Sequence, residues 1–182
     1  MATTSSTTSS TDSAVLPSGE WYVDPARSQV HFHTRAMFGL FPVLGRFERF
    51  GGTLRVSEAG EASGELRLEA ESVKTGIGKR DAHLRTKDFF YADAHPHVTF
   101  DLAELRPDGA SHRASGTLTI RDKTLPIEAG ATVTANGTEL RIEARFPVDH
   151  HAAGLGWAKP GMVRKVVDAD INLTLTRQQT AD

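Results

Sequence analysis

Between residues 65 and 71 every second side chain is charged: Glu65, Arg67, Glu69 and Glu71 alternate with Leu66, Leu68 and Ala70. A two-residue repeat puts all the apolar groups on one face of an extended strand and all the charges on the other. The same pattern recurs along the chain. Val30, Phe32 and Thr34 oppose His31, His33 and Arg35; Val98, Phe100 and Leu102 oppose Thr99, Asp101 and Ala103. Leu125, Ile127, Ala129, Ala131 and Val133 share one face, as do Leu140, Ile142, Ala144 and Phe146, and between these two runs stands Asn136-Gly137, a strong signal for a hairpin turn. Val167, Ala169, Ile171, Leu173 and Leu175 complete the set. The pattern predicts an all-β chain of about eight strands, each apolar on one side. A two-sheet sandwich and a closed antiparallel barrel both satisfy it. Successive strands joined by short turns favour the up-and-down barrel, in which no strand edge is left open.

One stretch breaks the alternation. Residues 72–90 leave a strand at Val73, turn at Gly76 and Gly78, and carry about two turns of helix near residues 78–87. The stretch holds Lys79, Arg80, Arg85 and Lys87 and ends on the pair Phe89-Phe90. A charged helix with an aromatic end, set into an all-β chain, is the natural lid or mouth of a barrel.

The rest of the composition excludes more than it assigns. The chain has no cysteine, so it has neither a disulfide framework nor a thiolate site. Its net charge of −2 argues against a nucleic-acid-binding face. No apolar run approaches the length of a membrane-spanning helix. Residues 1–18 are rich in Thr and Ser, lack Lys and Arg, and read as a disordered tail without a secretion signal, which makes the cytoplasm the expected location. Residues 19–177 are expected to form one domain and 178–182 a C-terminal tail.

The histidines invite a metal reading, but Arg35 follows His31 and His33 on the same strand face, and a dication would not tolerate it there. No metal site and no cofactor is expected. No nucleophile elbow or phosphate-binding glycine loop is present. The catalytic alternative is an enzyme acting on a small hydrophobic metabolite, with His83 or Asp81 as acid or base. On a structural reading Arg80 and Asp81 pair with neighbours, His83 packs the helix, and Phe89 and Phe90 belong to the core.

Five pieces of the chain then resemble the YceI-like family. They are Trp21-x-x-Asp24-Pro25-x-x-Ser28-x-Val30-x-Phe32, Gly45-x-Phe47-x-x-Phe50-x-Gly52, Pro96-x-x-Thr99-Phe100 and Gly116-x-Leu118-Thr119-Ile120, with Ser72-Val73-x-Thr75-Gly76-x-x-x-Arg80-Asp81-x-His83-Leu84-Arg85-x-x-Asp88-Phe89-Phe90 as the most specific. Near the last strand the family usually shows Asp-Arg-x-x-Phe-Gly; this chain keeps Asp149 and Gly154 but lacks the Arg and the Phe. The resemblance implies an extended, eight-stranded, lipocalin-like barrel with a short helical insert, a non-catalytic protein that carries an isoprenoid such as a quinone or a polyprenyl phosphate. The resemblance also fits transport and allows a homodimer; a further alternative is a structural or stress-response barrel with a filled interior and no bound ligand. One-face positions place Phe32, Phe47, Leu68, Phe100, Leu118, Ile127, Ile142, Phe146 and Leu173 in the lumen, with Phe89 and Phe90 at its end. Phe38, Phe41 and Phe50 lie where glycines disturb the register. A phosphate head group would meet a rim of Lys79, Arg80, His83, Arg85 and Lys87, because guanidinium groups grip phosphate oxygens bidentately.

Overall fold

The computed structural model describes residues 16–36, 40–155 and 165–177. Residues 1–15 and 178–182 of the two expected tails lie outside these, as do Phe38 and the Gly156 to Gly161 part of the last loop. Leu16, which composition assigns to the tail, is buried in the core, and the Pro17 carbonyl accepts a hydrogen bond from Trp21 Nε1 at 3.1 Å.

Among the described residues eleven strands form one antiparallel sheet. They are β1 (Gly19–Val23), β2 (Gln29–Ala36), β3 (Phe41–Phe47), β4 (Phe50–Val56), β5 (Ala62–Glu69), β6 (Val73–Lys74), β7 (His97–Asp108), β8 (Ser111–Ile120), β9 (Lys123–Ala135), β10 (Glu139–Asp149) and β11 (Val166–Arg177). Helix α1 spans Gly78–Arg85. β1, β4, β5, β7, β8, β9, β10 and β11 close into an eight-stranded barrel through the β1–β11 pairing. The wall is staggered, as a barrel requires. Trp21 lies opposite Arg177, yet the row of partners leading from Trp21 through Leu54, Gly64, Leu102, Gly116 and Ile127 returns to β11 near Val167.

There are more strand segments than the alternation suggests because two long strands are broken, and each break is healed by a buried serine. β1 and β2 run one after the other along β11, with the Asp24-Pro25 turn between them. At that turn the Thr174 N–H loses its ladder partner and donates instead to Ser28 Oγ at 2.9 Å, while the Asp24 N–H donates to the Thr174 carbonyl at 2.8 Å. β3 and β4 are broken at Glu48 and Arg49. There Ser72 Oγ accepts from the Arg49 N–H at 3.0 Å, and the Ser72 carbonyl accepts from the Glu48 N–H. Unpaired buried backbone groups are costly, so a hydroxyl at these two points lets the strands bend without that penalty. The bends allow β2, β3 and β6 to flare from the closed barrel as an upper wall.

Antiparallel connections alternate between the two ends. The β4–β5, β7–β8 and β9–β10 turns lie at one end, the last at Asn136-Gly137 as expected, with Gly137 at φ 83°. That end is sealed: Trp21 and Leu140 have no exposure, and Leu175, Leu54, Val56 and Ala62 are buried with them. The Arg177 guanidinium lies 4.7 Å from the Trp21 ring centroid and donates to the Ser18 carbonyl, drawing the incoming chain across the floor. Where β4 meets β5 the walls approach closely: a Cβ on Gly64 would come within 2.2 Å of the Thr53 carbonyl oxygen, a contact only glycine avoids. The opposite end carries α1, the β2–β3 hairpin, the β8–β9 turn and the β10–β11 loop.

Candidate functional site

The inward faces of the barrel do not meet at the centre. They enclose a cavity of about 410 Å³, more than twice the roughly 150 Å³ engineered cavity that stays dry and binds benzene. All eleven side chains expected in the lumen line it: Phe32, Phe47, Leu68, Phe89, Phe90, Phe100, Leu118, Ile127, Ile142, Phe146 and Leu173. Their aromatic rings are arranged edge-on or tilted rather than stacked. Phe47 meets Phe90 at 5.5 Å and Phe32 at 6.0 Å, and Phe100 meets Phe146 at 6.4 Å. Phe90 is buried, so it serves both the core and the lumen. Phe50 packs against the core from a partly buried position, and Phe41 stands exposed at the upper end of β3.

The rim is built by residues 72–90, and its most specific motif serves the architecture. Asp81, in the first turn of α1, is buried and accepts hydrogen bonds from both the N–H (2.7 Å) and the hydroxyl of Thr75. Burial alone would raise its pKa; the Thr75 bonds outweigh that and hold the carboxyl below the ordinary value of 3.8. Arg80 closes the same knot, donating to Thr75 Oγ1 at 2.7 Å and to the Thr75 carbonyl at 2.9 Å. The helix has no side-chain N-cap, so this knot, with Gly76 at φ 81°, fixes where it begins.

The five rim residues separate in space. Arg80 and His83 line the cavity mouth, and His83 packs edge-on against Phe89 at 5.1 Å with Asp88 Oδ2 at 3.5 Å. Lys79 and Lys87 are exposed and stand off the cavity wall. Arg85 turns away, to the Val73 carbonyl at 3.4 Å and to Glu71 at 3.2 Å. Of the five expected rim residues, then, one guanidinium and one imidazole line the cavity, rather than a ring of five cations.

Opposite α1, Asp149 and Gly154 explain what remains of the last family motif. Asp149 Oδ1 accepts from the His151 and Ala152 N–H groups at 3.0 and 3.1 Å, and its other oxygen lies 3.1 Å from Lys165 Nζ. The backbone bonds and Lys165 keep its carboxyl below 3.8. Where the family places Arg, His150 is buried with Nδ1 2.8 Å from the Leu155 carbonyl oxygen. Arg121, which the motifs do not single out, ties the rim together. Its guanidinium donates to the carbonyls of Lys87, Phe89 and Gly154 at 3.1 to 3.3 Å and lies over the Tyr91 ring.

Two further residues escape the motifs. Thr34 lines the cavity with a buried hydroxyl that has no hydrogen-bond partner among the described residues. His112 is 5% exposed, and its Nε2 likewise has none. The signal for His112 is the alternation itself, which puts it in phase with the inward Ala114, Leu118 and Ile120. Its partners on the two flanking strands are Pro107 and Ala131, neither of them charged. Burial pushes the His112 imidazole below its ordinary value of 6.5. The unfolded chain therefore takes up a proton that the folded one refuses, and stability falls as pH drops below about 6.5. Denaturant titrations at pH 7.5 and 5.5 should show this loss, and a His112→Phe variant should lose less; an equal loss in both would assign the acid sensitivity elsewhere. The carboxylates held low by their partners, Asp24, Asp81 and Asp149, act at a lower pH, near and below 3.8.

Among the described residues no group of three His, Asp or Glu side chains converges as a metal site. No helix among them is long and apolar enough to cross a membrane.

The comparisons with known proteins agree with this architecture. In sequence, a UPF0312 protein of Pectobacterium atrosepticum is 29% identical over 99 residues, 53% of this chain and 52% of that protein. A UPF0312 protein of Pseudomonas aeruginosa is 30% identical over the same shares. The chain spans about half the length of the curated relatives it matches. In structure, Burkholderia cenocepacia BcnA superposes with a TM-score of 0.77 at 23% identity, covering 84% of this chain and 98% of that one. A polyisoprenoid binding domain from Saccharophagus degradans superposes with a TM-score of 0.70 at 19% identity, covering 86% and 98%. These likenesses concern the fold. The family model described as the YceI-like domain matches residues 21–176, and the chain belongs to that family.

Proposed function

We propose that this protein binds and carries a long apolar ligand of the isoprenoid class inside its barrel, without changing it chemically. The observation that carries this reading is the cavity: 410 Å³, walled by aromatic and aliphatic side chains, sealed at the Trp21 end and bordered at the other by α1. The structural likeness to a polyisoprenoid binding domain supports the ligand class. Burying one methylene contributes about 0.8 kcal/mol, so each five-carbon prenyl unit contributes about 4 kcal/mol before the cost of ordering the chain is subtracted. A few units reach useful affinity with no polar contact. Arg80 and His83 at the mouth suit a quinone or a phosphate head group in contact with water. The acid–base alternative loses its carboxylate, since Asp81 is committed to Thr75.

Native mass spectrometry of protein purified without detergent tests the reading. A stoichiometric added mass that extracts into organic solvent as a prenyl lipid is the expected result. Protein that carries nothing and takes up neither prenylquinone nor polyprenyl phosphate overturns it.

A further inference from the structure

Among the described residues, the two non-glycine positions with a left-handed backbone are Tyr91 (φ 50°) and Arg121 (φ 55°), and their side chains meet. Arg121 is the first residue of the two-residue turn between Ile120 and Lys123, a place that suits glycine or asparagine. Its guanidinium lies 5.9 Å from the Tyr91 ring centroid, and His95 lies 5.7 Å from the same ring. Such backbone persists only where the surroundings enforce it. What Arg121 supplies in return is a bridge. On one side stand Phe89 and Phe90, and on the other the turn after β10 with His150 and Leu155; all four line the cavity. Arg121 Nη1 donates to the Lys87 and Phe89 carbonyls on the first side and to the Gly154 carbonyl on the second. That nitrogen has two hydrogens for three acceptors, so the bonds are shared. The bond to Gly154 is the longest, at 3.3 Å, and is exposed, so water can take its place. Each side also carries bonds of its own: the Phe90 N–H donates to the Leu84 carbonyl, and the Leu155 N–H to the His150 carbonyl.

We propose that Arg121 is the latch of a portal through which ligand enters and leaves the lumen, between the Phe89-Phe90 end of the rim and the turn that carries Leu155. This rests on the lumen being a ligand site and says how the ligand reaches it. The floor is sealed at Trp21, and passage through the strand wall would break a row of backbone hydrogen bonds at once. At the Arg121 crossing one exposed hydrogen bond has to break. The guanidinium stays on the Lys87 and Phe89 carbonyls and over the Tyr91 ring, so the latch recloses on Gly154 without being rebuilt. The lumen is the same with the latch open or shut. Arg121 therefore sets how fast ligand exchanges and leaves the affinity unchanged.

Stopped-flow fluorescence of an apolar probe entering and leaving the full-length protein tests this, with Arg121→Asn as the variant. Asparagine tolerates the left-handed turn and removes the guanidinium. Uptake and release should each become about five- to tenfold faster, the size of one hydrogen bond, while Kd stays within about twofold of wild type. Arg121→Lys keeps the charge but loses the planar fork, and its rates should fall between the two. Urea denaturation of the same proteins identifies a tie that only stabilises the fold. Unchanged exchange rates in folded Arg121→Asn protein, with or without a loss of stability, overturn the latch and leave the carrier reading intact. So does a weaker Kd in place of faster exchange. Wild-type protein that takes up no apolar probe overturns both.

Discussion

An Ile142→Arg variant should lose uptake of apolar ligands by at least about tenfold, a change of 1.4 kcal/mol or more. Ile142 lies in the middle of β10, between Val133 and Leu173 on its two neighbouring strands, and its side chain faces the cavity. An arginine here would put a guanidinium into an almost wholly apolar space, with the two poor choices of occupying the ligand's volume or dragging water inside. Its sequence neighbours give the control. Arg141 and Glu143 point outward and are exposed, so Glu143→Arg should leave uptake unchanged while altering the same strand by one charged residue. Because a buried charge can also unfold the barrel, Ala144→Phe serves as a second probe: it fills the lumen instead of charging it. Probe titration and circular dichroism on all three variants read uptake and folding separately. A folded Ile142→Arg protein that binds as wild type would place the ligand outside the barrel.

The second large effect is on stability. Trp21→Ala should destabilise the fold by roughly 3–5 kcal/mol, as for other fully buried large aromatics. Trp21 has no exposed surface, packs across the sealed end, donates Nε1–H to the Pro17 carbonyl and lies under the Arg177 guanidinium. Removing it opens the floor, detaches residues 16–18 and leaves Leu54, Leu140 and Leu175 facing a void. Against a total stability of about 5–15 kcal/mol for a domain, that is a large fraction. Urea denaturation should show the midpoint shifting with little change in slope. A loss below about 1 kcal/mol would mean that the floor is sealed by something other than this ring.

These two sites differ in how plainly the sequence displays them. Ile142 belongs to an unbroken alternation, and each such run put its apolar face on the lumen because a two-residue repeat leaves a strand only one way to bury its side chains. The same logic reached nine cavity-lining positions, from Phe32 on β2 to Leu173 on β11, while Phe89 and Phe90 belong to the stretch that breaks the alternation. It did not reach the breaks in the wall. Whether a strand continues past Asp24 or Glu48 depends on Ser28 meeting Thr174 and on Ser72 meeting Arg49, contacts between residues far apart in the chain. The rim shows the opposite limit. Local sequence groups Lys79, Arg80, His83, Arg85 and Lys87 as one cationic cluster, but helical geometry sends successive side chains in different directions, and Arg85 goes to Glu71 and the Val73 carbonyl. His112 was visible by phase and hidden by type, since a histidine among Ser and Arg reads as an outer residue. Arg121 could be placed only once the turn at its position brought it against Phe89 and Gly154.

The central claim is that the ligand lies inside the barrel, and intermolecular nuclear Overhauser effects test it most directly. The protein would carry ¹³C-labelled Ile, Leu and Val methyl groups, and the ligand would be an unlabelled prenylquinone. The predicted result is contact between the prenyl methyls and the methyls of Leu118, Ile127, Ile142 and Leu173, which line the cavity on four different strands. Contacts confined to Leu40, Leu44 and Val166, which are exposed on the outside of the upper wall, would contradict it.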